Sequence, residues 1–232
     1  MNLPAFFDQV PRLRVRDPLA ELLGCCEGGV IEYGYADAVR VTGHSCPLVA
    51  TAYWLTWRAL DALYPDALPV RGGIKVDMRE SARHGNTGVT ATVVQMLTGA
   101  AGNSGFKGIA GRFSRAGLQR HAPQIPLAMR FTRLETGAAV DAAADLSLVP
   151  ASAALDELTG RLEHGTVDDA ALAALGRLWQ ERVATLLLDR ADDPAVFHVR
   201  HVDRRRDDPG VSSDVHVLRA VDSRQHAHPA RR

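Results

Sequence analysis

Apolar and polar residues alternate along Val30–Tyr35 behind a Gly28-Gly29 turn, the period of a half-buried strand, and Ala38–Val41 reads as its continuation. From Pro47 to Tyr64 the period changes. Val49, Tyr53, Trp57 and Leu60 form one helical stripe, Leu48, Ala52, Leu55 and Ala59 lie beside it, and only Arg58 and Asp61 are charged. A helix apolar on every side is buried, which predicts the central helix of a domain here. Upstream, Asp17-Pro18 followed by Leu19, Leu22 and Leu23 and stopped by Gly24 predicts a short amphipathic helix.

Pro65 and Pro69 break the chain after the long helix. Ile74–Met78 alternates as a strand, Ser81–Asn86 is a polar loop, and Gly88–Val94 reads as a second strand. Leu127–Leu134 and Ala138–Ala144 are two further strand candidates joined through Glu135-Thr136-Gly137. In the C-terminal part Thr166 is expected to cap a helix with Asp168 and Asp169 in its first turn. Its stripe of Leu172, Leu175, Trp179, Val183 and Leu186 runs to about Asp189. Ala195–Val202 alternates as a last strand, and residues 203–232 form a polar tail expected to be disordered. The expected fold class is therefore α+β. A mixed or antiparallel sheet packs on a long buried helix, with an additional C-terminal helix and strand.

The chain has 232 residues, enough for one domain of ordinary size with appendages. Lys+Arg and Asp+Glu are both 27, so the formal charge is zero, and a nucleic-acid partner is not expected. No apolar run approaches the roughly 20 residues that span a bilayer, and Met1–Pro11 has neither the basic nor the apolar region of a leader. The expectation is a cytoplasmic protein with no membrane contact. Only Lys75 and Lys107 are lysines, an arginine and alanine bias typical of a GC-rich bacterial genome. Cys25, Cys26 and Cys46 are too few and too unevenly placed for a disulfide framework, so reduced thiols are expected.

The densest chemical signal is Gly43-His44-Ser45-Cys46-Pro47, between a strand and the start of the buried helix. Pro47 suits the first helical position, which puts the Cys46 thiol at the positive end of the helix dipole. There the thiolate is favoured, the form that ligates a metal or attacks an electrophile, and His44 can share the ion or act as a base. The alternative makes Cys46 a small buried hydrophobe and His44 a cap. Asp77, Glu80 and His84, with Tyr35 and Asp37, are candidates by residue type to complete a site. Gly99–Arg112, with Lys107 and Arg112 as its cations, has a composition that lets backbone N–H groups approach an anion.

Gly-His-x-Cys-Pro opening a long apolar helix that ends in Ala59-Leu60 and Leu63 resembles the hallmark of the FmdE family, named after a component of formylmethanofuran dehydrogenase. The run Val93–Gly99 followed by Lys107-Gly108 resembles the family's second motif, a strand ending in Leu-Thr-Gly-Cys and then a Gly-Lys-Gly turn. The resemblance covers residues 17–134, with 145–202 as an extension of one domain spanning 1–202. It implies an α+β domain, commonly dimeric, and a metal site that includes His44 and Cys46. Where the family commonly has further cysteines this chain has Val89 and Ala100, and Thr92 stands at an acidic position, which leaves open a site with fewer protein ligands, a different metal, or a ligand in the open position.

The first functional expectation is thus an FmdE-like protein holding one transition-metal ion, zinc foremost, in an accessory, carrier or small-molecule enzyme role. A second is haem or another cofactor on the Cys46-Pro47 thiolate, with Tyr53, Trp54 and Trp57 as an aromatic wall. A third is a non-catalytic interaction protein. A homodimer is expected, on the resemblance and on the amount of apolar surface the long helix carries.

Overall fold

The structure, a computed structural model, describes residues 2–203; the expected tail beyond lies outside the described residues. Its centre is a helix, Pro47–Leu63, started by Cys46 in an extended N-cap conformation with Pro47 in the first turn, as the sequence predicts. Twelve of its 17 residues are buried. A five-stranded mixed sheet packs on it, built from Ile74–Met78, Gln119–His121, Met129–Arg133, Ala139–Ala144 and Phe197–His201. We number the strands β3 to β7, after a separate antiparallel pair, β1 (Leu13–Arg16) and β2 (Val30–Tyr33). The helices are α1 (Pro18–Leu22), α2 (Tyr35–Thr42), α3 (Pro47–Leu63), α4 (Thr87–Thr98), α5 (Ala153–Glu163) and α6 (Asp169–Ala184).

The sheet order is β4-β3-β5-β6-β7, with β3 and β4 parallel and the other pairs antiparallel. Period-two alternation gives the sheet two unlike faces. Val76, Phe131 and Val140 stand in register on the inner face and are wholly buried, and α3 packs over β5, β6 and β7. The other face carries a row of alternating charge in register, Arg120, Asp77, Arg130, Asp141 and Arg200 from β4 to β7. Arg130 grips Asp141 with two bonds, 2.7 and 3.0 Å, and Lys75 pairs with Asp77 at 2.6 Å. Opposite charges face each other at every step, which favours this register.

Two expected strands are helices. Residues 88–94 belong to α4, although four of its twelve residues are threonine and three are valine. Tertiary context overrides their preference for strands. Ala91, Val94, Leu97 and Thr98 recur at helical spacing and are buried, and α4 packs along α3 and α2. The threonine hydroxyls bond back into the helix, Thr92 to Gly88 O and Thr98 to Val94 O. Ala38–Val41 likewise lies in α2, which starts after Gly34, buries Tyr35, Ala38 and Val39 on one side, and stops at Gly43 with φ +79°. The second motif therefore sits on a helix end rather than a strand end.

In the C-terminal part α5, capped by Ser152, is an element the sequence pattern did not predict. The next helix is capped by Asp168, whose carboxylate accepts the Ala171 N–H at 2.8 Å, and not by Thr166, which bonds to Arg161 O. After Ala184 the chain widens into a π-turn, Thr185–Asp189, closed by Arg190 N–H to Thr185 O. The long helix is covered within one chain by the sheet, α4, α2 and the π-turn. Its apolar surface therefore gives no reason for a second copy, and a dimer rests on the family resemblance alone.

Asp17 ties the front of the domain together. Its carboxylate caps α1 through Leu19 and Ala20 N–H and takes hydrogen bonds from Arg71 at 2.8 Å and Arg115 at 2.6 Å. Arg71 Nε also donates to Met96 O, so a cation covers the negative end of α4. Through Arg115 the same carboxylate anchors the glycine-rich segment.

Candidate functional site

The Gly43–Pro47 loop is short and fixed at both ends. Gly43 closes α2 in the left-handed conformation, with its N–H on Val39 O, and Cys46 caps α3. The Cys46 Sγ, half-buried, accepts the Val49 N–H at 3.5 Å. His44 is exposed, and its Nδ1 lies 3.0 Å from Thr42 O. A carbonyl only accepts, so this bond assigns the proton to Nδ1 and leaves the Nε2 lone pair available in the neutral ring. A histidine so oriented by a backbone carbonyl presents Nε2 in the form that binds a metal.

Between these two side chains Ser45 is held by four hydrogen bonds. Its Oγ donates to Gln180 Oε1 at 2.8 Å. That uses its only proton, so Tyr35 OH donates to the same Oγ at 2.9 Å. Its carbonyl accepts Trp179 Nε1–H and Gln180 Nε2–H, each at 3.1 Å. The loop is thus clamped from α2 on one side and α6 on the other. Burial pushes the Tyr35 phenol far above its ordinary range; the Ser45 bond opposes this and a charge on Cys46 adds to it. Tyr35 therefore stays protonated and serves as a donor. The clamp had no local signal in the sequence, because Ser45 and Gln180 are 135 residues apart.

The other candidates lie elsewhere. Asp77 is buried in the charged row of the sheet, paired with Lys75. Glu80 and His84 are exposed in the loop before α4. Asp37 caps the Gly34 N–H at 2.8 Å and pairs with Arg40 at 2.6 Å. Tyr53 and Trp54 are core residues with their polar atoms committed, Tyr53 OH to Pro11 O and Trp54 Nε1 to Ala191 O. Trp57 stacks on Trp54 with ring centres 5.0 Å apart. Lys107 is exposed and donates to Asn103 O, and Arg112 lies over the Phe113 ring, so both cations engage their own loop. Val89 lies in the first turn of α4 and Ala100 is buried just beyond its end.

Among the described residues no three His, Cys, Asp or Glu side chains converge into a group that could hold a metal ion. No described helix is long and apolar enough to cross a membrane. Comparison of the sequence with protein-family models and with curated proteins gave no match.

Proposed function

We propose that this chain is an FmdE-like metal-binding protein that holds one ion of the zinc class on His44 Nε2 and Cys46 Sγ. The observation that supports it is the clamp on Ser45, which fixes the residue between two available electron-pair donors. A nitrogen and a sulfur donor suit zinc, and two protein ligands leave positions for water or a small-molecule substrate. Bound there, zinc would polarise a substrate oxygen or acidify a water. The chain's own part is to hold the two donors and to keep His44 in the Nδ1–H tautomer through Thr42 O; no third His, Cys, Asp or Glu among the described residues joins them. This reading favours a small-molecule enzyme or carrier in a reducing, cytoplasmic setting over a purely structural zinc protein, which ordinarily uses four ligands. A homodimer belongs to the same reading through the family resemblance.

Elemental analysis of untagged protein tests it. One ion per chain is expected in the wild type, and none in the His44→Ala/Cys46→Ser double variant. Full metal content in that variant would overturn the proposal. Cobalt gives a second readout, since a thiolate ligand produces a charge-transfer band that Cys46→Ser must abolish.

A further inference from the structure

A cleft of about 320 Å³ opens between the turn at residues 146–150 and α6, away from the Gly43–Pro47 loop in sequence but resting on the helix that clamps it. Its apolar side is Leu148, Val149, Pro150 and Leu178, and Thr185 and Arg190 at the π-turn close one end. The widened turn puts both of those residues on the cleft wall, a local distortion of the sort that recurs at functional sites.

The charges around the cleft are unequally satisfied. Arg190 is engaged by Asp193, at 2.9 Å from Nε and 2.6 Å from Nη2. Glu181 is exposed and faces Arg177 at 3.4 Å. Arg182 differs: its Nε donates to Val149 O at 2.8 Å, which fixes the guanidinium plane against the apolar wall, and no described acceptor takes its two terminal nitrogens. Burial pulls its proton affinity below the usual guanidinium range, with the nearby Asp156 charge opposing this in part. A partly desolvated cation, pre-oriented by one bond and left with a free two-pronged donor, is matched by a carboxylate.

We propose that this cleft binds a small monocarboxylate with an apolar body, its carboxylate on the terminal nitrogens of Arg182 and its body against Leu148, Pro150 and Leu178. Glu181 also lines the cleft, its carboxylate facing Arg177 at 3.4 Å, and is an acidic group that the ligand's carboxylate avoids by seating on Arg182. The site is independent of the metal proposal, but the two share α6: Leu178 and Arg182 face the cleft while Trp179 and Gln180 bond the Ser45 carbonyl. Occupancy is therefore readable at the Trp179 indole, one residue from the cleft floor.

The test is a titration of the full chain with benzoate, followed by the indole N–H resonances of the three tryptophans, with Trp179→Phe assigning the reporter. Saturable binding is expected with a Kd on the order of 1 mM, as suits so small a ligand. Benzamide, neutral and of the same shape, and benzylammonium, of opposite charge, should each bind at least about tenfold more weakly. Arg182→Gln should cost about tenfold or more. Leu178→Trp, which fills the apolar side and leaves Arg182 in place, should abolish binding and decides the matter if Arg182→Gln does not fold. No shift with benzoate, equal binding of benzamide, or undiminished binding in a folded Arg182→Gln or Leu178→Trp variant would each overturn the proposal.

Discussion

Ser45 Oγ donates to Gln180 Oε1 at 2.8 Å, and the Gln180 amide returns a bond to the Ser45 carbonyl at 3.1 Å. One side chain of the C-terminal helix thus bonds both the hydroxyl and the carbonyl of the residue between His44 and Cys46. The region after residue 145 is therefore part of the site's support, although it carries none of the candidate ligands.

Gln180→Ala should loosen that support. It removes a partner from two half-buried groups of Ser45, and a hydrogen bond lost in such a setting costs about 1–3 kcal/mol. For a domain of this size that corresponds to a fall in Tm of roughly 2–4 °C per kcal/mol. Alkylation of Cys46 in the metal-free protein should also quicken, while exposed Cys25 reacts as before. An unchanged Tm and unchanged Cys46 rate would show that the clamp carries no weight.

The parts of the fold legible in the sequence are those where one signal acted alone. The helix α3 announces itself through Pro47 at its start and apolar residues on every side, and β3, β5, β6 and β7 through alternation over five or six residues. Where two signals conflicted the local one misled. The valines and threonines of α4 favour a strand, and only its partners α2 and α3 make a helix of it. In α2 the buried set Tyr35, Ala38 and Val39 is too short to distinguish a helical period from alternation. The placement of His44 on a loop and of Cys46 at a helix start was legible because Gly43 and Pro47 mark a helix stop and a helix start within five residues. Asp77, Glu80 and His84 were chosen by residue type, and the structure commits Asp77 to the charged row on the outer sheet face.

Alkaline pH tests the buried phenol. Burial, with a smaller contribution from Cys46, raises Tyr35 above its usual range, so the folded chain keeps a proton that the unfolded chain loses above about pH 10. Stability from this group is thus fully present below pH 10 or so and declines as pH rises beyond it, by about 1.4 kcal/mol per pH unit. Tyr35→Phe should flatten the fall by roughly that amount, read from urea unfolding between about pH 8 and pH 11. The same slope in both proteins would mean that Tyr35 is not protonated by its surroundings as described.

Acid tests Asp17. Burial pushes its carboxyl up, but the Arg71 hydrogen bond, the Arg115 charge and the Ala20 N–H outweigh this and hold it below the usual range. Its stabilisation is present above the unfolded value of about 3.9 and is lost as pH falls through the lower folded one. Asp17→Asn keeps one oxygen to cap α1 and accept from Arg115, but it removes the charge and sets an amide N–H donor against Arg71, leaving buried Arg115 without a counter-charge and with Nη1 already lacking a partner. A loss of about 3–5 kcal/mol at neutral pH is expected, with the gap to wild type narrowing below about pH 4. A gap independent of pH would assign the effect to packing instead.

Two glycines separate backbone strain from packing around that same arginine. Gly43 and Gly72 have φ of +79° and +84°, so an alanine at either meets a similar conformational cost of about 1–2 kcal/mol. Their surroundings differ. A Cβ on Gly43 meets nothing within 4 Å, whereas one on Gly72 falls 1.7 Å from Arg115 Nη1 and 2.4 Å from its Cζ. The guanidinium cannot yield cheaply, because its Nη2 is bound to Asp17 at 2.6 Å and the side chain is buried. Gly72→Ala should therefore lose the conformational cost plus a further amount on the order of the broken Arg115–Asp17 pair, about 3–5 kcal/mol. Chemical denaturation of the two variants beside the wild type measures the difference. Equal losses would mean that Arg115 moves aside without cost, and that the Asp17 cluster is not the rigid tie between α1, α4 and the glycine-rich segment that its hydrogen bonds describe.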